Sequence, residues 1–275
     1  MKGKKVMITG GNSGIGKETA IGLAKLGATV VIACRSQERG NEAVADIKRV
    51  SGNANVFLIL MDLASQKSVR EAAEEYKRQY KELHVLINNA AVFLPKREET
   101  EEGIEKTFAI NYLSHFLLTH LLLDTLKASA PSRVINTASK HMGIKMNFDD
   151  LMTTQKYSFF KAVGPTKLGL IMFSKVLAKK LEGTGVTVNA IHPGLAKSNL
   201  LNQMPFLVRF LFGLIMTSSE KCAKTGIHLA SAPELEKVSG RYFENSKEVK
   251  AGANATNESD NQKLWDLSVK LAKVG

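Results

Sequence analysis

Short apolar runs rich in β-branched residues alternate along this chain with longer segments of helical periodicity, and this alternation most constrains the fold. The predicted strands are Lys5–Thr9, Thr29–Ala33, Val56–Leu60, Val85–Asn88, Arg133–Ala138 and Val186–His192. Between them, segments of helical period lie near Gly16–Lys25, Arg39–Val50, Ser68–Tyr80, Tyr112–Ala128 and Thr166–Leu181. Such alternation predicts a parallel sheet with helices on both faces, because a parallel sheet needs both faces covered. We therefore predict an α/β fold of three layers built on a doubly wound parallel sheet.

Beyond His192 the pattern becomes less regular, and no repeat or linker divides the chain. We expect helices near Asn199–Met216, Ser219–Ser231 and Asp260–Lys273, a strand near Gly240–Phe243 and a polar loop over Gly252–Asp260. A chain of 275 residues suits one large α/β domain, so we assign residues 1–275 to a single domain. The apolar stretch at about 199–216 is expected to cover an apolar substrate as a lid, with a C-terminal tail at about 252–275.

The net charge of +12 favours anionic ligands, but its distribution argues against nucleic acid as a partner. Lysines and arginines are spread over many segments, and no basic stripe alternates with aromatic residues. Cys34 and Cys222 are far apart and belong to no cluster with metal-ligand spacing, so we expect reduced thiols and no metal. No segment reaches the ~18 apolar residues of a transmembrane helix, and the first residues lack a signal-peptide pattern. We expect a cytoplasmic protein.

A glycine-rich turn stands between the first predicted strand and the first predicted helix, where a diphosphate could bind. Gly10 permits a tight exit from the strand, Gly14 lets backbone N–H groups approach a diphosphate, and Gly16 lets the helix pack closely on the sheet. The helix amino terminus then offers free N–H groups and the positive end of its dipole. We therefore predict a Rossmann-type fold with a dinucleotide at Gly10, Asn12, Ser13, Gly14, Ile15, Gly16 and Lys17.

The end of the second predicted strand indicates which dinucleotide binds. Sites that prefer NAD usually place an acidic residue there for the ribose hydroxyls. This chain instead has Arg35 and Ser36, with Arg39 nearby and Lys17 just past the glycines. A guanidinium can form a forked pair with a 2′-phosphate, whereas a carboxylate would repel it. We predict NADP(H), with the alternative that Arg35 only ends the strand at the surface.

Taken together, these and later motifs resemble the short-chain dehydrogenase/reductase family over nearly the whole chain. The matching segments are Thr9–Gly16 (TGxxxGIG), Met61–Leu63 (adenine contact), Leu86–Ala91 (NNAG), Phe108–Asn111 (helix-kinking asparagine), Ile135–Ser139 (catalytic serine) and Ile191–Gly194 with Ser198 (nicotinamide side). The resemblance is strongest to the retinol-dehydrogenase-like branch. It implies an NADP(H)-dependent oxidoreductase that acts on a carbonyl or alcohol, and it allows a homo-oligomer.

The resemblance also implies roles for individual residues. Asp62 and Leu63 would meet the adenine, Asn89 and Ala90 would line the cofactor, and Pro193, Gly194 and Ser198 would support the nicotinamide. Ser139 would bind the substrate oxygen, and Asn111 would hold a water in a proton relay. Lys167, which lies 26 residues before Pro193 as in the family, would bind the nicotinamide ribose.

One position departs from the family pattern at the centre of its chemistry. Four residues before the lysine, family members carry a tyrosine that donates a proton to the substrate oxygen. This chain has Val163 there, and Pro165 follows it. Proline is tolerated in the first turn of a helix and disfavoured inside one, so we expect this helix to begin near Gly164.

Tyr157 offers two alternatives, because it forms a second Tyr-x-x-x-Lys with Lys161. In the first alternative Lys161 is the active lysine, which would lengthen the spacing to Pro193 by six residues. In the second, Tyr157 reaches the pocket from a loop and acts with Lys167.

Two functions therefore remain in contention. One is hydride transfer between NADP(H) and an apolar carbonyl or alcohol, with the proton supplied by Lys167, water or Tyr157. The other is an NADP(H)-binding pseudoenzyme that acts as a sensor or scaffold, which Val163 and Pro165 favour. The presence of Ser139, Asn111 and Lys167 together favours the enzyme.

Overall fold

One eight-stranded sheet forms the centre of the molecule in a computed structural model that describes residues 1–140, 143–196 and 217–274. The strands are β1 Lys5–Thr9, β2 Thr29–Cys34, β3 Val56–Leu60, β4 Val85–Asn88, β5 Ser132–Thr137, β6 Val186–His192, β7 Tyr242–Glu244 and β8 Lys247–Val249. Their order is β3-β2-β1-β4-β5-β6-β7-β8, and every neighbouring pair is parallel except β7 and β8. The predicted doubly wound parallel sheet is confirmed, and β8 adds an antiparallel strand that the sequence did not indicate.

Helices cover both faces of this sheet. They are α1 Gly14–Lys25, α2 Gln37–Ser51, α3 Gln66–Tyr80, α4 Lys106–Phe108, α5 Ser114–Leu121, α6 Leu123–Ala128, α7 Phe159–Lys180, α8 Ser219–Ser231, α9 Ala253–Thr256 and α10 Glu258–Ala272, with a π-helical turn at Ala109–Leu113 and 3-10 turns at Phe148–Asp150 and Pro233–Leu235. One face carries α1, α2 and α8, and the other carries α3, α5, α7 and α10. The three predicted layers are confirmed.

The inner strands are mainly apolar because each lies between two helical layers, whereas β3 and β8 at the sheet edges expose side chains. In β1, Val6 and Ile8 pack against the α1 layer while Met7 packs against the α7 layer, and all three side chains are fully buried. A residue pointing to either face of such a strand is removed from water, so alternation of polar and apolar residues disappears. Among the described residues, no helix is long and apolar enough to cross a membrane.

Helix α7 begins at Phe159, five residues before the position expected from Pro165, so that expectation was wrong. The Ser158 side chain caps the helix by accepting a hydrogen bond from Lys161 N. Buried Ala162 and Gly164 then pack the first turns against the protein, and the helix continues through Pro165. Tertiary packing and a good cap outweigh the cost of proline here.

Two smaller expectations also need correction, and a third concerns residues that the structure does not describe. The region predicted as a loop at Gly252–Asp260 contains α9, and α10 begins at Glu258, where Asn257 caps it through Asp260 N. The helix predicted over Tyr112–Ala128 is divided into a π-helical turn, α5 and α6. The expected lid at 199–216 lies outside the described residues.

Candidate functional site

A cleft of about 870 Å³ opens at the carboxyl ends of the parallel strands. This edge is where ligands bind in open α/β sheets, at the point where β1 pairs with both β2 and β4 and the strand order reverses. The predicted site residues that line it are Gly10, Asn12, Ser13, Gly14, Ile15, Gly16, Arg35, Ser36, Asp62, Leu63, Asn89, Ala90, Ser139, Lys167, Pro193 and Gly194. Lys17, Asn111 and Tyr157 do not line it, and Ser198 lies outside the described residues.

The glycine-rich turn presents the amino terminus of α1 to this cleft. Gly14 has a φ of +52°, which a side chain would strain, and Ser13 is the N-cap residue but makes no side-chain cap. The first N–H groups of α1 therefore stay free for a ligand. A Cβ at Gly16 would lie 2.3 Å from the carbonyl oxygen of Gly10, so only glycine lets the helix approach β1 this closely. The turn fits a diphosphate.

Two guanidinium groups border the same cleft beyond β2. Arg35 and Arg39 line it and are exposed, and Ser36 between them caps α2 by accepting from Arg39 N at 3.3 Å. Lys17, the third cation expected to meet the phosphate, instead forms an ion pair with Asp46 of α2. This pairing lowers the pKa of the Asp46 carboxyl and directs the lysine away from the cleft. The expected phosphate role of Lys17 therefore remains a prediction.

A buried hydrogen-bond cluster fixes the floor of the cleft and involves His115, which the sequence analysis missed. The Thr9 hydroxyl oxygen accepts from Asn89 N at 2.9 Å and Ala90 N at 3.0 Å. Its only proton therefore goes to His115 Nε2 at 3.1 Å, which must be the unprotonated ring nitrogen. His115 Nδ1 then donates to the carbonyl of Asn111 at 3.3 Å. Burial lowers the pKa of His115 to about 3, so the ring stays neutral.

Asn111 lies in the π-helical turn, and its side chain forms hydrogen bonds with the backbone beside the cleft. Its side chain accepts from Val92 N at 2.7 Å and donates to Val92 O at 2.9 Å. These two bonds hold the segment that follows Asn89 and Ala90. The side chain is thus bonded to Val92, and the expected role of Asn111 in holding a relay water remains a prediction.

Lys167 and Ser139 line the cleft from different elements. Lys167 extends from α7, its side chain is buried, and its Nζ donates to Thr137 O at 2.8 Å at the end of β5. Ser139 follows two residues after Thr137 on the same stretch and lines the cleft. Burial lowers the pKa of Lys167 to about 8, which brings its ammonium close to the range where it can give up a proton.

Val163 lines the cleft one helical turn before Lys167, so the two side chains share a face of α7. Apolar side chains of Ile144, Phe93 and Phe159 line the same cleft, and the ring centroids of Phe93 and Phe159 are 5.1 Å apart. All five tyrosines are in described parts of the chain, and none of them lines the cleft.

Tyr157 is engaged elsewhere, which corrects the hypothesis that it acts with Lys167. Its hydroxyl donates to Leu94 O at 2.9 Å and lies 3.5 Å from Thr107 Oγ1. Burial raises its pKa, the opposite of what a proton donor near neutral pH requires. Lys161 is exposed, and the buried lysine in the cleft is Lys167.

His192 at the end of β6 is buried, and its Nδ1 has no hydrogen-bond partner among the described residues. Burial lowers the pKa of His192, and the residue does not line the cleft. No group of His, Cys, Asp and Glu among the described residues could hold a metal ion.

The aromatic wall of the cleft was missed because its sequence signal is weak. Phe93, Phe159 and Phe160 lie in loops or at a helix start, where no periodicity marks them. His115 sits in an apolar helical stretch where a lone polar residue suggests only packing. Asn111, in the family's asparagine motif, lies four residues before His115. This spacing, which puts the two residues on one face of a helix, was the available signal.

Comparison with known families and proteins agrees with this geometry. A family model described as short chain dehydrogenase matches residues 4–205. Retinol dehydrogenase 14 of Homo sapiens is 43% identical over 288 aligned residues, which cover 98% of this chain and 86% of that protein. Retinol dehydrogenase 12 of Mus musculus is 42% identical over 275 residues, with coverage of 99% and 87%.

Solved structures are similar over nearly the whole chain. An uncharacterized protein from Mycobacterium Paratuberculosis superposes with a TM-score of 0.81 at 28% identity, covering 99% of this chain and 94% of that one. The Pseudomonas aeruginosa RhlG/NADP active-site complex gives a TM-score of 0.73 at 26% identity, with coverage of 93% and 97%.

Proposed function

Because the chain belongs to the short-chain dehydrogenase/reductase family, we propose that it transfers hydride between NADP(H) and the carbonyl or alcohol carbon of an apolar small molecule. One observation carries the proposal: a single cleft contains the glycine-rich turn, two arginines, Ser139 and Lys167 beside the aromatic wall described above. The similarity to retinol dehydrogenases supports an apolar, retinoid-like substrate.

The residues divide into cofactor-binding and substrate-binding groups. The free N–H groups of α1 would hold the diphosphate, Arg35 and Arg39 the 2′-phosphate, and Asp62 the adenine end. When bound, NADPH supplies the hydride, and the protein supplies orientation and a proton. The hydroxyl of Ser139 donates a hydrogen bond to the substrate oxygen, while the aromatic wall excludes water from that oxygen.

Proton delivery must differ from the family pattern, since Val163 replaces the tyrosine and cannot donate. Lys167 is the titratable group that lies deepest in this part of the cleft, and its lowered pKa suits an ammonium that gives a proton to the oxygen or to an intervening water. The Thr137 carbonyl accepts one of its protons and leaves two for the cleft.

The pH dependence of NADPH oxidation by apolar aldehydes tests this assignment. The reaction requires the ammonium, whose pKa is about 8. We expect kcat/KM to be level below that pH and to fall about tenfold per pH unit above it. A rate that still does not fall above the ordinary lysine pKa of about 10.4 would exclude Lys167 as the proton source.

Cofactor choice is tested by Arg35→Ala. A guanidinium–phosphate hydrogen bond contributes about 1.5–3 kcal/mol, so the NADPH-to-NADH affinity ratio should fall by roughly 10–100-fold. Arg78→Ala is the matched control, because Arg78 is exposed on α3 and does not line the cleft. An unchanged ratio in Arg35→Ala would show that Arg35 only ends its strand.

The alternative function is an NADP(H)-binding pseudoenzyme, favoured by the absence of any tyrosine from the described cleft lining. Fluorescence titration with NADPH separates binding from turnover. NADPH binding without oxidation by any aldehyde or ketone in a broad panel would support the sensor or scaffold.

A further inference from the structure

A second cavity, of about 720 Å³, adjoins the cleft on its substrate side. Ile144 and Phe160 line both spaces and therefore form the wall between them. Phe160 is 67% exposed, so its part of this wall is open to solvent. Ile144 is held against α7, because a Cβ at Gly164 would lie only 2.7 Å from its Cδ1.

Three lysines line this second cavity, namely Lys145, Lys156 and Lys161, and they are exposed. None of them forms an ion pair with a described residue. The carboxylate that lines the cavity, Asp150, accepts from Thr154 N at 2.6 Å, from Thr154 Oγ1 at 2.7 Å and from Gln155 N at 3.1 Å. The lining thus has three lysines and one carboxylate, an excess of positive charge. The carboxylate oxygens already accept hydrogen bonds from Thr154 and Gln155.

The backbone adds to the case for an anion. Phe160 and Lys161 belong to the first turn of α7, a helix of 22 residues, so the positive end of its dipole borders the cavity. Thr153 and Lys156 also line the cavity, with φ values of +49° and +29°. Residues other than glycine held at positive φ cost free energy and cluster at ligand sites.

We propose that this lysine cavity, defined by Lys145, Lys156 and Lys161, binds an anionic group at the far end of the apolar ligand. The ligand class is a long apolar chain with a carboxylate or phosphate at one end. Its apolar body would lie along Ile144 and Phe160, and its reactive carbon would lie by Ser139. This assignment deepens the proposed function, on which the identity of the ligand as a substrate rests.

Binding of a fluorescent polyene fatty acid tests the cavity without any turnover. The probes are cis-parinaric acid and its methyl ester, which share the apolar chain and differ in charge. Exposed ion pairs contribute modestly, so the wild-type protein should bind the acid on the order of tenfold more tightly than the ester. The preference should weaken as salt is raised, because the lysines are exposed.

The variant carrying Lys145→Gln, Lys156→Gln and Lys161→Gln should lose the acid-over-ester preference. Lys179→Gln is the matched control, because it removes an exposed lysine at the other end of α7, outside the cavity lining. Using the ratio of two affinities cancels any general loss of folded protein. A ratio that survives in the triple variant, or that falls equally in Lys179→Gln, overturns the proposal.

The lysine cavity and the NADPH-dependent activity can be excluded independently of each other. A charge preference in a protein that oxidises no NADPH keeps the lysine cavity and excludes the enzyme. NADPH oxidation by simple alkanals with no acid-over-ester preference keeps the enzyme and excludes the lysine cavity.

Discussion

Val163→Tyr is expected to raise the rate of NADPH-dependent aldehyde reduction by about 10²–10⁴-fold, which corresponds to about 3–5 kcal/mol of barrier. The reason is positional: residue 163 lines the cleft one helical turn from the buried ammonium of Lys167, in the same cleft as Ser139. A phenol placed there gains a charged neighbour that lowers its pKa toward working pH. Single-turnover kinetics with saturating NADPH measure the effect on the chemical step.

Val163→Phe is the control, since it adds the same ring without the hydroxyl. A Tyr variant no faster than the Phe variant would mean that position 163 does not face the reacting oxygen. If wild type transfers no hydride at all and only the Tyr variant does, the pseudoenzyme is the correct description of the natural chain.

Lys167→Met is expected to reduce the rate by about 10²–10⁴-fold and yet to make the protein more stable. At pH 7 the buried ammonium destabilises the folded state, since burial lowers its pKa from 10.5 to about 8. Methionine removes this charge but leaves the Thr137 carbonyl without its partner, so we expect a net gain of about 2 kcal/mol. Thermal unfolding should then shift upward by roughly 4–8 °C.

The gain should depend on pH with a defined sign. Between pH 8 and 10.5 the unfolded wild-type chain binds the Lys167 proton more tightly than the folded one, so wild-type stability rises with pH. The difference between variant and wild type should therefore be largest below pH 8 and shrink toward pH 10.5. Lys175→Met, on the same helix but not in the cleft lining, should show neither effect. A lower melting temperature for Lys167→Met at pH 7 would contradict the argument.

The parts of the fold that the sequence predicted well are those where one local rule acts alone. Strands β1, β2 and β4 were predicted because burial on both sides makes each one a nearly continuous apolar run. The glycine-rich turn was recognised because positive φ at Gly14 and the close approach at Gly16 each exclude other residues.

The errors arose where two rules compete or where contacts join distant segments. The rule against proline inside a helix placed the start of α7 too late, because the Ser158 cap and packing of the first turns were invisible in sequence. The ion pair of Lys17 with Asp46 was not foreseen, because Asp46 is 29 residues away on another helix. The hydroxyl of Tyr157 binds Leu94, a residue that no local pattern connects to it.

Pro165 interrupts the backbone hydrogen bonding of α7 and so divides the helix into an amino-terminal and a carboxyl-terminal unit. It has no N–H to give to the carbonyl of Lys161, so the helical ladder is interrupted between the cap at Ser158 and the turn that bears Lys167. The amino-terminal unit carries Phe160 and Lys161, and the carboxyl-terminal unit is packed into the core around Leu170 and Phe173. The ligand-facing turns consequently depend on the Ser158 cap and on the packing of Ala162 and Gly164, while the hydrogen bond of Lys167 to Thr137 ties the following turn to β5.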